Sequence, residues 1–146
     1  KEADLIRRPL MKFRYNVCAA PTYIENYGIP NSVQDLDNHR IIVYGDDARP
    51  PVPNLNWLLE IGRSDLPRRR STLRLNSIYG IFRAVQSGLG IGALPNYMSR
   101  EVANLIVVLP EIKGPEVEAF FCYPEELRRS ARIEAFRDFL FKTIEN

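Results

Sequence analysis

Residues Thr72–Pro95 read TLRLNSIYGIFRAVQSGLGIGALP and carry the clearest secondary-structure pattern in this 146-residue chain. Thr72–Leu75 predicts a strand, and the next segment predicts a helix because apolar side chains recur on one face, at Ile78, Ile81, Phe82 and Val85. Gly88 ends that helix, and Leu89–Pro95 predicts a second strand. A strand, a helix and a strand in succession indicate a layered α/β structure.

Strands and helices alternate on both sides of this unit as well. Further strands are predicted at Leu5–Leu10, Tyr15–Ala20, Ile41–Tyr44, Leu105–Leu109 and Val117–Tyr123. Helices are predicted at Pro21–Tyr27, Ser32–Leu36, Asn96–Glu101 and Ser130–Ile144, with loops at Arg49–Asn54 and Gly62–Arg70. The alternation predicts an α/β fold with a mostly parallel sheet.

Composition and charge are those of an ordinary globular protein. Hydrophobic residues make up 45% and charged residues 26%, which fits a folded chain of about one domain. The net charge of +2 is too small for a general electrostatic grip on a phosphate backbone. No apolar run approaches the roughly 20 residues of a membrane span, and with only two cysteines a reducing cytoplasm is the expected compartment. The chain opens at Lys1 without an initiator methionine, so we expect it to be a piece of a longer protein.

Three side chains are candidates for catalysis, and the context of each favours a structural role. A thiol nucleophile would need Cys18 or Cys122 beside His39, the only histidine, with a third group to orient the imidazole. Both cysteines lie in apolar strands and are predicted to be small buried residues, and His39 is predicted to be structural. One histidine and two separated cysteines also fall short of a metal site. The sequence therefore predicts no catalytic residue, no metal and no cofactor.

Two further motifs resemble binding motifs but are predicted to be structural. The glycines of Gly88–Gly92 follow a helix and precede a strand, the reverse of a dinucleotide-binding loop, so they predict a tight turn with positive φ or close packing. The arginines of Pro67–Arg70 predict a solvated surface loop, since no aromatic residues lie between them for stacking on bases. Trp57 and Tyr79 are predicted to be packing residues.

One pair of features predicts half of a ligand pocket. Asn76 or Ser77 caps the helix, where unsatisfied N–H groups and the positive end of the dipole favour a carboxylate or another polar group. Leu94–Asn96 lies at the carboxyl end of the next strand, the side of an open α/β sheet on which ligands bind. The alternative is that these residues serve capping and packing alone.

The order of motifs resembles a known protein family. The motifs run along the whole chain, at Leu5–Leu10, Val17–Ile24, Tyr27–Pro30, Asp35–Arg40, Leu75–Ser77, Ala84–Pro95 and Ser130–Leu140. In this order they closely resemble the effector-binding domain of LysR-type transcriptional regulators. The resemblance implies a periplasmic-binding-protein-like (type II) fold of two α/β subdomains joined by crossover strands, with an effector in the cleft between them.

The resemblance also implies how the chain divides. Residues 18–117 would form the second regulatory subdomain, and residues 1–17 with 118–146 would form an incomplete first subdomain. Asn16–Ala20 and Glu118–Tyr123 would be the crossover strands. The missing parts would be the first portion of the incomplete subdomain and a winged helix-turn-helix that reads DNA. The terminal helix is then expected to expose apolar surface.

Site residues and partners follow from the same resemblance. Effector contacts would fall at Asn76, Ser77, Leu94 and Pro95, with Ala20 and Pro21 near the crossover. The effector would be a small metabolite such as a carboxylate or an aromatic compound. Further copies of the chain would form a homodimer or homotetramer through Ile78–Gln86 and the strand after it. Promoter DNA would bind only through the missing N-terminal domain, and no membrane would be involved.

The sequence thus predicts a non-catalytic, cytoplasmic regulatory domain that senses a metabolite and mediates oligomerisation. The alternative is a solute-binding protein of an uptake system, which shares the two-lobed fold.

Overall fold

The computed structural model describes residues 4–45, 54–101 and 104–145. Its internal contacts divide the chain into a larger unit, Arg14–Glu116, and a smaller unit, Lys1–Phe13 with Val117–Asn146. The loop predicted at Arg49–Asn54 lies, except for its last residue, outside the described residues. The assignment of residues 1–17, 18–117 and 118–146 to regulatory subdomains stays a prediction.

The larger unit is built on a mixed β-sheet. Its strands are β1 (Leu5–Ala19), β2 (Ile41–Tyr44), β3 (Leu73–Leu75), β4 (Ile91–Pro95) and β5 (Ile106–Val107), in the order β3-β2-β4-β1-β5. β2 is parallel to both β3 and β4, whereas β1 is antiparallel to both β4 and β5. The prediction of a mostly parallel sheet is therefore wrong at β1, because the chain enters this unit in the direction opposite to β4.

Helices of the larger unit follow the strands. They are α1 (Pro21–Tyr27), α2 (Ile78–Gln86) and α3 (Asn96–Glu101), with 3₁₀ helices at Val33–Asn38 and Trp57–Leu59. α2 packs Ile81, Ala84 and Val85 into the core. Every residue of β2 and β4 is buried, which confirms the prediction of a buried strand at Ile41–Tyr44. Each large apolar side chain buried in this way stabilises the unit by about 1.5–3 kcal/mol.

The glycine turn between α2 and β4 is confirmed. The N–H of Gly88 bonds to the carbonyl of Val85 at 3.0 Å, and the N–H of Leu89 bonds to that of Ala84 at 3.1 Å. This paired pattern needs a left-handed residue after the helix, and Gly88 has a φ of 81°. At Gly92 the need is close packing, because a Cβ atom there would lie 2.7 Å from Cγ2 of Val85.

The smaller unit contains the first part of β1, most of β6 (Glu116–Pro124) and α4 (Ala131–Glu145), with a 3₁₀ turn at Glu125–Leu127. β1 is one strand of 15 residues, so the prediction of separate strands at Leu5–Leu10 and Tyr15–Ala20 is wrong. Exposure alternates through the intervening residues as in a strand, and Lys12 Nζ lies 3.8 Å from a carboxylate oxygen of Glu118 on the paired strand β6. These residues carry charges on their exposed face, which hid the strand from the sequence analysis.

Apolar and thiol groups are exposed in this smaller unit. Phe136 and Phe139 of α4 are 52% and 63% exposed, which confirms the expected apolar surface on the terminal helix.

Cys122 is exposed, so the prediction that it is buried is wrong. Successive strand residues point to opposite faces. The rings of Phe121 and Tyr123 contact each other, with centroids 5.4 Å apart, and Cys122 therefore points the other way.

Candidate functional site

Parallel strands of the larger unit end together at one edge of its sheet. Tyr44 at the end of β2 is in register with Leu75 at the end of β3, and Pro95 at the end of β4 is in register with Tyr15 on β1. With strands about 4.8 Å apart, this edge is about 14 Å wide from β3 to β1. We call it the strand-end edge, and it comprises Tyr15, Tyr44–Gly45, Asn56, Asn76–Ser77 and Leu94–Tyr97.

Asn76 and Ser77, two of the predicted site residues, lie at this edge with exposed side chains. Ser77 is the residue that caps α2, since its Oγ accepts a hydrogen bond from the N–H of Gly80 at 3.0 Å. The first N–H groups of a helix have no partner within the helix, and the dipole makes this end positive. The cap therefore places hydrogen-bond donors and partial positive charge beside the ends of β2 and β3.

Leu94 and Pro95 lie at the same edge but are buried. The Leu94 side chain has an exposure of 0%, so in this unit it belongs to the core and offers only its backbone to the edge. Leu94 and Pro95 are therefore core residues at this edge, and the polar groups of the edge come from other residues. The structure therefore brings four of the six predicted site residues to one edge.

Ala20 and Pro21 lie elsewhere. β1 runs antiparallel to β4, so Cys18 is in register with Gly92 while Tyr15 is in register with Pro95. Ala20 and Pro21 follow the end of β1 and are displaced from the strand-end edge by about 17 Å along the strand. Ala20 is buried and Pro21 is the exposed first residue of α1. Their role as effector contacts stays a prediction, and the sheet separates them from the other four.

Three tyrosines at the strand-end edge were missed by the sequence analysis. Burial, followed by the neighbouring phenols of Tyr44 and Tyr97, raises the pKa of Tyr15 to about 12. Burial, followed by Tyr97, also raises the pKa of Tyr44. Tyr15 and Tyr44 are buried, with 3% and 4% exposure, so their rings belong to the core next to this edge. The available signal was position for Tyr44 and Tyr97, which lie at or near the ends of β2 and β4, whereas Tyr15 lies within β1 and reaches the edge through its pairing with Pro95.

Two asparagines complete the edge. Asn56 holds the end of β2 through two hydrogen bonds of 3.0 Å, one from the N–H of Tyr44 and one to its carbonyl oxygen. Asn96 begins α3, and its side-chain Oδ1 is buried without a hydrogen-bond partner among the described residues. A buried acceptor of this kind is costly unless something donates to it. The edge thus combines neutral donors, a helix N-terminus and one unsatisfied acceptor, which suits polar recognition of a small molecule.

Cys18 and His39, two of the residues considered for catalysis, have different interaction partners. Burial raises the pKa of the Cys18 thiol to about 12, and its side-chain hydrogen bond with Ser99 only partly opposes this, so Cys18 is a poor nucleophile. His39 Nδ1 lies 2.6 Å from the hydroxyl of Tyr23.

Among the described residues, no group of three or more His, Cys, Asp and Glu side chains is arranged to hold a metal ion. The same part of the chain contains no helix long and apolar enough to cross a membrane.

Two residues assigned from sequence context differ in the structure. The prediction of a solvated arginine run is wrong for Arg69, which is 6% exposed because four acceptors surround its guanidinium. Tyr79 is 62% exposed on the outer face of α2, so the prediction that it is a packing residue is wrong. Its position one residue after the helix start turns it away from the face that carries Ile81 and Val85.

Solved structures with the same fold are regulatory domains. The regulatory domain of CrgA, a LysR-type transcriptional regulator from Neisseria meningitidis, matches with a TM-score of 0.78 at 23% identity, covering 98% of this chain and 70% of that chain. Full-length LysG from Corynebacterium glutamicum, solved with bound effector Arg, matches with a TM-score of 0.65 at 24% identity, covering 96% and 48%. The chain therefore has the periplasmic-binding-protein-like α/β fold of LysR regulatory domains.

Sequence relatives agree with the structural ones. The probable HTH-type transcriptional regulator LtrA of Klebsiella pneumoniae is 29% identical over 147 residues, which cover 94% of this chain and 45% of that protein. The HTH-type transcriptional regulator YhjC of Escherichia coli K12 is 29% identical over 150 residues, covering 95% and 47%. The family model for the LysR substrate binding domain matches residues 1–144, and the chain belongs to this family. It spans less than half the length of these two relatives.

Proposed function

We propose that this chain binds a small metabolite at its strand-end edge and, within a longer LysR-type regulator, passes that event to a DNA-binding domain. The observation that carries the proposal is the capped N-terminus of α2 beside the carboxyl ends of β2, β3 and β4. Open α/β sheets bind ligands on this side. The relatives, which are HTH-type transcriptional regulators, support the regulatory part of the proposal.

The ligand class that suits this edge is a carboxylate or an aromatic compound. A carboxylate would accept hydrogen bonds from the N-terminal N–H groups of α2 and from the exposed side chains of Asn76 and Ser77. The rings of Tyr15 and Tyr44 are buried, with 3% and 4% exposure, and form the apolar core next to this edge. LysG was solved with bound effector Arg, a small metabolite that carries a carboxylate, and this supports the class without fixing the compound.

The longer protein would act as a homodimer or homotetramer in the cytoplasm and would reach promoter DNA through its N-terminal domain. The outer face of α2 supports the proposed contact between copies, because exposed Tyr79 lies beside Phe82 with ring centroids 6.3 Å apart. A ligand with different affinities for two arrangements of the oligomer would shift the balance between them. A solute-binding protein of an uptake system is not favoured, since the relatives are transcriptional regulators.

A substitution at the edge and a matched one away from it test the site. Carboxylates and aromatic metabolites are screened by thermal shift, and the dissociation constant of each hit is measured by calorimetry for Ser77→Arg and Asn26→Arg. We expect Ser77→Arg to weaken binding at least tenfold, because the side chain fills the edge and the cap is lost. Asn26→Arg adds the same side chain on α1, at the other end of the sheet, and is expected to change binding less than twofold.

Loss of the cap itself costs about 1 kcal/mol of folding stability, so Ser77→Arg is expected to remain folded. Undiminished binding in Ser77→Arg, or an equal loss in Asn26→Arg, would place the ligand somewhere other than this edge.

A further inference from the structure

A second concave surface lies at the opposite end of the same sheet. It is a groove of about 510 Å³ lined by Asp37, His39, Arg63 and Arg68–Thr72, which we call the arginine groove. His39 precedes β2 and Thr72 precedes β3, and the N–H of Thr72 bonds to the carbonyl of Ile41 at 2.7 Å. The groove therefore lies at the amino ends of β2 and β3, separated from the strand-end edge by about 10 Å, the length of β2.

The charges in the groove are unbalanced. Four arginines face one carboxylate, and Asp37 is already held by Arg63 at 2.8 Å and by Arg69 at 2.7 Å. Arg68 lies 3.4 Å from Glu60, but both side chains are more than half exposed, so this pair is weak. Arg70 is exposed, and within the described part of the chain its guanidinium has no ion pair or hydrogen bond. Arg68 and Arg70 thus keep positive charge available to a ligand.

The loop that carries these two arginines is held in place by the residue between them. Arg69 donates to Asp37 and to the backbone carbonyls of Leu58, Ile61 and Val33, at distances between 2.5 and 3.0 Å. A cation buried by four acceptors fixes its own backbone segment. Arg68 and Arg70 are therefore displayed from a preorganised segment, which lowers the entropy cost of binding a ligand.

His39 supplies a neutral donor to the same groove. The hydroxyl of Tyr23 accepts the N–H of Arg40 at 3.2 Å and lies 2.6 Å from His39 Nδ1, and we assign the tautomer in which that hydroxyl donates to Nδ1. A neutral imidazole that accepts at Nδ1 carries its proton on Nε2. Burial lowers the pKa of His39, partly opposed by Asp35, which agrees with a neutral ring. The Ser71 and Thr72 hydroxyls add further donor capacity.

We propose that the arginine groove binds a small, multiply charged phosphate-type anion, at a site separate from the strand-end edge. Two guanidinium groups, an imidazole N–H and two hydroxyls match the acceptor oxygens of such an anion. The volume is in the range of small-molecule sites. An extended nucleic-acid backbone is disfavoured, because the carboxylates of Asp37 and Glu60 flank the arginines and the chain has a net charge of only +2.

The test is a calorimetric titration of the protein with pyrophosphate, and with inorganic phosphate, at about 0.15 M salt to screen nonspecific attraction. We expect saturable binding of one pyrophosphate per chain. The double variant Arg68→Gln/Arg70→Gln is expected to weaken it at least tenfold, and both side chains are exposed, so the fold is retained. The control Arg129→Gln/Arg132→Gln removes the same charge from exposed positions in the smaller unit and is expected to change affinity less than twofold.

Three results would overturn the proposal. The first is that neither anion binds saturably. The second is that the double variant and its control bind with equal affinity. The third is that Ser77→Arg loses as much affinity as the double variant, which would place the anion at the strand-end edge.

A final experiment replaces pyrophosphate with a DNA duplex of about 20 base pairs. We expect no binding that depends on Arg68 and Arg70; tighter, arginine-dependent binding of the duplex would reassign the groove to nucleic acid.

Discussion

Arg69 connects three separate segments of the larger unit through a single side chain. Its guanidinium donates to the carbonyls of Val33, Leu58 and Ile61 and to the carboxylate of Asp37. Burial tends to raise the pKa of Asp37, but hydrogen bonds from Arg63 and Arg69 outweigh it and hold that pKa below its ordinary value. The planar fork of an arginine can reach all four acceptors, whereas a lysine ammonium cannot.

Replacing Arg69 should cost far more stability than replacing its neighbour. Arg69→Met leaves three backbone carbonyls without their donor, and we expect a loss of about 3 kcal/mol in the free energy of unfolding. Arg70→Met removes the same charge from an exposed position and is expected to cost less than about 0.5 kcal/mol. Urea unfolding of both variants measures the difference. Equal stability of the two would show that the buried guanidinium has no structural role.

His39 gives the protein a defined response to acid. Burial lowers its pKa from 6.5, so the folded state favours the neutral ring and the unfolded chain takes up the proton first. The free energy of unfolding is therefore expected to be constant above about pH 6.5 and to fall as the pH drops from there through the lower pKa of the folded state. Asp37 has a lowered pKa and contributes a separate loss only below about pH 4.

Unfolding measured from about pH 7.5 to about pH 5, in the protein and in His39→Asn, tests this response. The variant lacks the only imidazole and should lose the slope in this interval. The same slope in both proteins would assign it to another group.

At the scale of elements, the turn from α2 into β4 shows how local chemistry sets the geometry of the site. Gly88 and Gly28 both follow helices with nearly the same positive φ, 81° and 82°. Their surroundings differ, because a Cβ atom on Gly88 would lie 2.5 Å from Oγ1 of Thr22, whereas one on Gly28 would have nothing within 4 Å. Comparing the same substitution at the two positions therefore separates the free-energy cost of the backbone conformation from that of the contact with Thr22.

We expect Gly28→Ala to cost about 1 kcal/mol of stability and Gly88→Ala to cost about 2–3 kcal/mol. The reason for the excess is the contact with Thr22. Adding Thr22→Ala to Gly88→Ala should recover about 1 kcal/mol, and chemical denaturation of the parent protein, Gly88→Ala, Thr22→Ala and the double variant measures this coupling. Equal costs at the two glycines, or no recovery in the double variant, would contradict the explanation.

Elements with local signals were predicted well, and those that depend on distant pairing were not. α2, β2 and β4 follow from apolar periodicity, the Ser77 cap and the glycine turn, all of which lie within a few residues of the element. The length and direction of β1 depend on β4, β5 and β6, which lie far along the chain. The same distinction holds for the site. Ser77 could be predicted from its cap, whereas the proximity of Tyr15 and Tyr44 exists only once β1 and β2 flank β4.

At the scale of the whole molecule, the chain belongs to the LysR substrate binding domain family, and the two relatives described above are more than twice as long. Within the larger unit, the two ends of the sheet have different chemistry. The strand-end edge offers a helix N-terminus with the exposed side chains of Asn76 and Ser77, and the arginine groove offers guanidinium groups. One sheet therefore presents two kinds of polar surface, and we propose metabolite binding at the first.

Amide chemical-shift mapping with a metabolite that stabilises the protein tests this assignment most directly. We expect the largest ligand-induced shifts at Gly45, Ser77–Tyr79 and Asn96, at the strand-end edge. Largest shifts at Pro21–Tyr27 or at Arg68–Thr72, with the strand-end edge unchanged, would contradict it.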